Sequence, residues 1–339
     1  MALPTLDANN LKVAAVVAFY MFSALVMVFV NKAVLSNSPD LPLLFLLFQL
    51  IIAVFLLHAS AAFSSKVEIP KFDRTVAKKL VPVVLVNIIG LVFNTLCLRD
   101  VEASFFQIAR GLVLPLTIVV FSAHTRTKPA RNVIFAAAIV TVGFMLGVAP
   151  TKDLPAASIP STLSLFYGVL SSLFIAFHAV LIKSSLPHCN NSTIQLAWWT
   201  NVGSAIFLFP FVFIHGEPWK LLDMYFLTNW DWRVFAWGSL VTGVFGFLLC
   251  VAGLLSIKVT SPVTHMFSSA ARSVLQTLIG VLAFRDVLNV NRGVSITVIV
   301  IGTMYYTWIK SMPAAPQQNR RNDPEAAIPL KADRVEEKA

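Results

Sequence analysis

Apolar runs of membrane-crossing length recur from one end of this chain to the other. Each run holds roughly 18 to 25 residues, enough helix to cross about 30 Å of hydrocarbon. We count ten such runs, at residues 13–35, 41–60, 79–98, 102–123, 132–149, 162–183, 195–215, 232–255, 261–284 and 292–310. The sequence therefore predicts an all-α integral membrane protein with ten transmembrane helices.

The composition agrees with a chain that lies mostly in a bilayer. Charged residues make up 12% of the sequence, against about 25% in a soluble domain, and the mean hydropathy is +0.78. The three cysteines, Cys97, Cys189 and Cys250, lack C-x-x-C spacing, which excludes a disulfide framework or a thiolate metal site. The sequence has no aromatic–basic platform for nucleic acid and no catalytic motif such as HExxH or GxSxG. We expect no metal, cofactor, enzymatic activity or nucleic-acid partner.

The ten runs divide into two units of five. We predict four segments: a cytosolic N-terminal segment (1–12), a first five-helix repeat (13–150), a second (151–310) and a disordered cytosolic tail (311–339). An odd number of helices per unit gives the two units opposite orientations, the inverted-repeat plan of many secondary transporters. Weak similarity between Leu98–Arg110 and Ile257–Arg272 supports this plan.

The distribution of positive charge predicts that both termini are cytosolic. The loop Ala61–Lys79 holds five Lys or Arg residues, and the next loop on the same side holds Arg126, Lys128 and Arg131. An excess of these residues marks the cytosolic side. The overlapping glycosylation acceptors at Asn190 and Asn191 then fall on the cytosolic side, and we expect neither to be modified.

Two arginines lie near the predicted midplane, whereas all sixteen Asp and Glu residues lie in loops, helix ends or the tail. At about 1.5 Å rise per residue, Arg110 lies roughly 12 Å and Arg272 roughly 16 Å inside their runs. A buried cation requires a partner or an aqueous cavity. One interpretation is that each arginine snorkels or binds backbone carbonyls; the other is that an anionic substrate is the partner, since guanidinium binds phosphate in bidentate fashion.

The positions of the charged residues favour exchange as the mode of transport. Proton-driven carriers commonly use intramembrane Asp, Glu or His relays, and here only His178 and His265 are candidates. The sequence also lacks a P-loop that would harness ATP. Exchange of one anion for another requires neither device.

Several segments resemble the nucleotide-sugar and triose-phosphate translocator group of the drug/metabolite transporter superfamily. The likeness covers roughly 13–310 and is strongest in Phe93–Leu112, Gly253–Thr277 and Tyr167–Pro187, with Asn31-Lys32 also typical. Within this group the chain is most similar to GDP-fucose transporters and more distantly to GDP-mannose transporters. The resemblance implies a ten-helix fold, a Golgi membrane and exchange of cytosolic nucleotide sugar for luminal nucleoside monophosphate.

The resemblance also points to substrate-binding residues. A FYNN motif of the GDP-sugar carriers matches Trp198–Asn201, where the last asparagine is retained. A motif ending in lysine matches Ser269–Arg272, and Arg110 matches the group's arginine in the fourth span. Together with the charge analysis, this predicts a site made of Arg272, Arg110, Asn201, Trp199, Lys32, Ser269, Gln107 and His265.

Two rival functions stay open from the sequence. One is a sugar-phosphate or triose-phosphate translocator, and the other is a non-transporting membrane scaffold. The sequence also leaves open the sugar and base, endoplasmic reticulum against Golgi, the role of the tail, and whether the protein is a monomer or a homodimer.

Overall fold

A computed structural model describes residues 8–64, 67–149, 160–259 and 262–312, apart from the side chains of 8–14, 183, 250–271 and 311. Within this part the chain is helical and contains no strand. The helices are α1 (Ala8–Asn37), α2 (Pro42–Phe63), α3 (Arg74–Asp100), α4 (Ala103–Gly111), α5 (Val113–Thr125), α6 (Arg131–Val148), α7 (Thr162–Ser185), α8 (Thr193–Ile214), α9 (Glu217–Leu227), α10 (Trp232–Val259), α11 (Pro262–Phe284) and α12 (Val290–Ser311), with a short 3₁₀ helix at Leu186–Cys189.

Eight segments in the described residues are long and apolar enough to cross a membrane, which confirms the all-α membrane class. They are α1, α2, α3, α4 with α5, α6, α7, α8 and α10. The helices α11 and α12 coincide with the ninth and tenth predicted runs, but α12 is not among the eight, and of α11 only the shorter apolar part Arg272–Phe284 has described side chains. The number ten and the inverted repeats therefore stay predictions.

The predicted fourth run is interrupted where α4 gives way to α5 at Leu112. Pro115 explains the position of the break, because a proline has no N–H to donate to the carbonyl four residues earlier and its ring crowds that carbonyl. The carbonyl in question belongs to Gly111, the last residue of α4. Arg110 thus lies directly beside a discontinuity of the membrane helix.

Helix packing groups the molecule into two bundles. One contains α1, α2, α3, α7, α8, α9 and α10, the other contains α4, α6, α11 and α12, and α5 packs against α7 of the first and α6 of the second. The most extensive pair, α6 with α12, depends on glycines of α6, because a Cβ at Gly147 would collide with Ser295 Oγ. Ser295 Oγ also donates to the Gly143 carbonyl at 2.6 Å. Small residues that let membrane helices approach closely are the usual basis of such contacts.

Candidate functional site

A cavity of about 380 Å³ lies where α4 and α5 meet α11 and α12. The two predicted intramembrane arginines, Arg110 and Arg272, both line it. The other lining residues include four polar side chains that the sequence analysis did not single out: Thr117, Ser273, Thr303 and Tyr306. Thr303 and Tyr306 are three residues apart on α12, a spacing that places both on one helix face. That spacing was the only available signal, because nothing in the sequence shows which face of α12 meets Arg110.

Neither arginine is neutralised within the described part of the chain. Both are half-buried, and their guanidinium groups lie close enough to interact electrostatically. Arg272 Nε is buried without a hydrogen-bond partner, and the Arg110 guanidinium lies over the Phe106 ring at 5.7 Å from its centroid. No hydrogen bond from either guanidinium to a backbone carbonyl is found among these residues. Two like charges on one cavity, with donors unused, are suited to a ligand with several anionic oxygens.

Gln107 joins the two arginine-bearing helices. Its Nε2 donates to Ser273 Oγ at 2.7 Å, which links the turn before Arg110 to the neighbour of Arg272. Its Oε1 is buried and has no hydrogen-bond partner among the described residues. Since a buried acceptor without a donor is unfavourable, this oxygen is available to a ligand hydroxyl or N–H.

The carboxylate nearest to Arg110 in the sequence is engaged elsewhere. Glu102 forms an ion pair with Arg292, whose Nη1 also donates to the Val287 carbonyl at 2.7 Å. Arg292 is only 1% exposed. The ion pair of Arg292 was not predicted, because this arginine lies at the start of a predicted run and its partner is 190 residues away.

Asn201 lines a different cavity, of about 210 Å³, between α1, α2, α3, α8 and α10. Gln49 and Thr242 also line this cavity, and Gln49 Nε2 donates to Thr242 Oγ1 at 3.0 Å and to Asn31 Oδ1 at 2.8 Å. The Asn201 amide itself donates to the Ala197 carbonyl at 2.7 Å. The structure therefore does not bring Asn201 into the cavity of the arginines.

The predicted aromatic contact, Trp199, lies in a third location. Trp199 and Trp198 are 5% and 9% exposed, and their rings are 5.0 Å apart in an edge-to-face arrangement. Trp199 also packs against Phe72 at 5.6 Å. Trp199 lines neither of the two cavities described above.

Lys32 is bound to the backbone. Its Nζ donates to the carbonyls of Leu98, Arg99 and Val101 at 3.0, 3.1 and 2.6 Å. An ammonium has three donors, and all three are used to satisfy the end of α3. The side chains of Ser269 and His265 lie outside the described residues.

Comparison with known proteins agrees with this architecture. The model of the Triose-phosphate Transporter family matches residues 11–307. The GDP-fucose transporter 1 of Dictyostelium discoideum is 28% identical over 305 residues, covering 87% of this chain and 80% of the relative. The mouse GDP-fucose transporter 1 is 26% identical, covering 93% and 86%. The relative named "GDP-fucose transporter, Golgi" in Drosophila melanogaster is 27% identical, covering 92% and 94%.

A solved crystal structure superimposes with a TM-score of 0.50 at 17% identity. The superposition covers 87% of this chain and 98% of the other, and at this identity it shows the fold alone. The family match extends over nearly all of the described helices. The chain belongs to the Triose-phosphate Transporter family.

Proposed function

We propose that this protein is a nucleotide-sugar carrier that exchanges a cytosolic GDP-fucose-like ligand for a luminal nucleoside monophosphate. The observation that carries the proposal is the pair Arg110 and Arg272, which converge on one cavity without a neutralising group in the described residues. A diphosphate carries several anionic oxygens in a small volume. Two neighbouring guanidinium groups can each bind two of these oxygens. The relatives named GDP-fucose transporters point to the same class of ligand.

The polar groups suggest how a nucleotide sugar would be divided between them. Arg110 and Arg272 would bind the phosphates, and the free Gln107 Oε1 would accept a hydrogen bond from an adjacent hydroxyl. Asn201 would contact the base or sugar from the second cavity, so the two cavities must join when the ligand is bound. Ser269 and His265 stay in the proposed site on the strength of the sequence alone.

The transport cycle we propose is exchange by alternating access to this site, in a protein of two inverted five-helix repeats with ten spans and both termini cytosolic. The absence of Asp and Glu from the middle of the predicted runs supports it, because a proton-coupled carrier would commonly place an acid there. We place the protein in the Golgi membrane, as in the name of the Drosophila relative, with the endoplasmic reticulum as the alternative.

A sugar-phosphate translocator is the second candidate, favoured by the name of the family itself. Purified protein in liposomes preloaded with GMP separates the two. We expect uptake of labelled GDP-fucose that depends on internal GMP and is inhibited by GDP more strongly than by UDP or CMP. Triose phosphate should neither be exchanged nor compete. Exchange of triose phosphate without any nucleotide sugar would overturn the proposal.

A further inference from the structure

The hydrogen bonds of α4 reach across the sequence to the second half of the chain. Ser104 N donates to Asp286 Oδ2 at 2.7 Å, and Gln276 Nε2 donates to the Ala103 carbonyl at 3.1 Å. Further along α4, Gln107 binds Ser273, as described above. We call these three bonds the α4–α11 contacts, since they connect α4 to α11 and to the loop that follows α11. They occupy successive positions from the start of α4 towards Arg110.

Two further contacts at the ends of α4 also connect it to the second half of the chain. Glu102, directly before α4, pairs with Arg292 on α12. At the other end, Ser172 Oγ on α7 donates to the Ala109 carbonyl at 2.9 Å. Every interhelical hydrogen bond of α4 among the described residues therefore ends on a helix or loop of the second half, although α4 belongs to the first half by sequence.

The α4–α11 contacts are buried, which makes them difficult to separate. Ser104 and Gln276 are fully buried, and Asp286 is 6% exposed. Asp286 satisfies an N–H at the start of α4, where the helix has unpaired donors and a partial positive charge. Separating the helices would leave a buried carboxylate and several amide groups without hydrogen-bond partners. Each such group would then be removed from water without compensation, which is unfavourable.

We infer that α4 and α11 move as one unit during transport, so that Arg110 and Arg272 form a clamp of fixed width. Asp286 and Gln276 are then positioning residues: they touch no ligand but hold the Arg110 helix against the Arg272 helix. The inference rests on the proposed function, because a clamp of two cations has a role only with an anionic substrate. It differs from a scheme in which the two arginines approach and separate as their repeats rock.

The positioning role predicts a particular kinetic effect of Asp286→Ala. Losing the buried acceptor lets α4 shift, so KM for GDP-fucose should rise roughly tenfold while Vmax changes little. Asp286→Asn keeps an oxygen for Ser104 N and should restore most of the affinity. Asp231→Ala is the matched control, since Asp231 Oδ1 accepts from Arg233 N at the exposed start of α10, remote from the arginines. An unchanged KM in Asp286→Ala, or a loss of Vmax alone, would contradict the role.

A disulfide tests whether the clamp stays closed through the cycle. Ala103→Cys with Gln276→Cys, in a chain without native cysteines, replaces one of the α4–α11 contacts by a bond that oxidation forms and reduction breaks. We expect the disulfide to form and the oxidised protein to retain at least half of the exchange of the reduced protein. Failure of the pair to cross-link, or loss of exchange on oxidation that reduction restores, overturns the inference.

The two failures are distinguishable because wild-type, reduced and oxidised proteins are assayed together with the same ligands. Wild-type protein that exchanges no nucleotide sugar contradicts the proposed function. Exchange by wild-type and reduced protein that is lost only on oxidation contradicts the fixed clamp and leaves the proposed function intact.

Discussion

At the scale of the residue, the buried and half-buried cations of the described helices fall into two kinds. Lys32 and Arg292 are satisfied by protein groups, Lys32 by three carbonyls and Arg292 by Glu102 and the Val287 carbonyl. Arg110 and Arg272 have no such partners among the described residues, and both face a cavity. A buried cation without a partner is unfavourable in the empty protein, so the second kind indicates a ligand and the first indicates structure.

Arg272→Ala should reduce GDP-fucose exchange by roughly ten- to a hundredfold, because a charge-assisted hydrogen bond contributes about 1.5 to 3 kcal/mol. Arg272→Lys keeps the charge but loses the planar fork, so it should retain an intermediate activity. Arg233→Ala, at an exposed position on α10, is the control and should exchange normally. Expression and detergent stability check that folding is intact. Unchanged exchange by Arg272→Ala would contradict the role of Arg272, whereas a wild-type protein that exchanges no anion would favour a non-transporting scaffold.

At the scale of the element, a short helix that no apolar run predicted holds a membrane helix in place. Gly216, with φ of +72°, lets the chain turn from α8 into α9. The first residue of α9, Glu217, is fully buried and accepts hydrogen bonds from Leu44 N at 2.6 Å and Leu43 N at 3.2 Å. Its carboxylate thereby caps the start of α2, where unpaired N–H groups need an acceptor. Burial nevertheless raises the pKa of Glu217, with the two backbone bonds opposing the rise.

This raised pKa predicts how stability depends on pH. The folded protein binds the Glu217 proton more tightly than the unfolded chain does. The associated stabilisation is full below the ordinary pKa and is lost as the pH rises through the raised pKa. The melting temperature of the protein with Glu217 minus that of the protein with Glu217→Gln should therefore fall as the pH rises from the ordinary to the raised pKa. Above the raised pKa the difference should be constant. Both proteins should carry His215→Gln, because His215 Nδ1 lies 3.4 Å from Glu217 Oε1. A difference in melting temperature that does not change with pH would contradict the prediction.

At the scale of the whole molecule, the bundles formed by packing differ from the halves of the sequence. The three most extensive helix pairs, α6 with α12, α3 with α7 and α1 with α10, each join the first half to the second. Each five-helix unit by itself would leave apolar helix faces without packing partners. The three pairs bury these faces against the other unit. The α4–α11 contacts belong to the same pattern, so motion during transport should follow the bundles.

The proposed orientation is tested by labelling single cysteines in a chain without native cysteines. Asn191→Cys and Asn229→Cys place a thiol at exposed positions in loops that the ten-span topology assigns to opposite sides. In cells with a permeabilised plasma membrane, an impermeant maleimide should label position 191 at once, and position 229 only after the Golgi membrane is opened. Labelling of both positions from the same side would contradict the topology.

The sequence by itself determined the class of the protein and its two principal cations. Hydrophobic runs and intramembrane charges are properties of composition and spacing, so the membrane helices, Arg110 and Arg272 could be read without coordinates. The break beside Arg110 was also encoded locally, by Pro115, although it was not predicted. The short helix α9 was missed because eleven residues leave little periodic signal.

Only the tertiary structure decided which polar groups meet. Helix packing places Gln107 against Ser273 and Asp286 against the start of α4. It places Asn201 and Trp199 away from the arginines, and Lys32 against the carbonyls at the end of α3. The physical reason is that these contacts join residues 66 to 182 positions apart, for which helical periodicity carries no information. Whether a buried charge has a partner depends on which helix faces pack together, and that is settled only when the whole bundle forms.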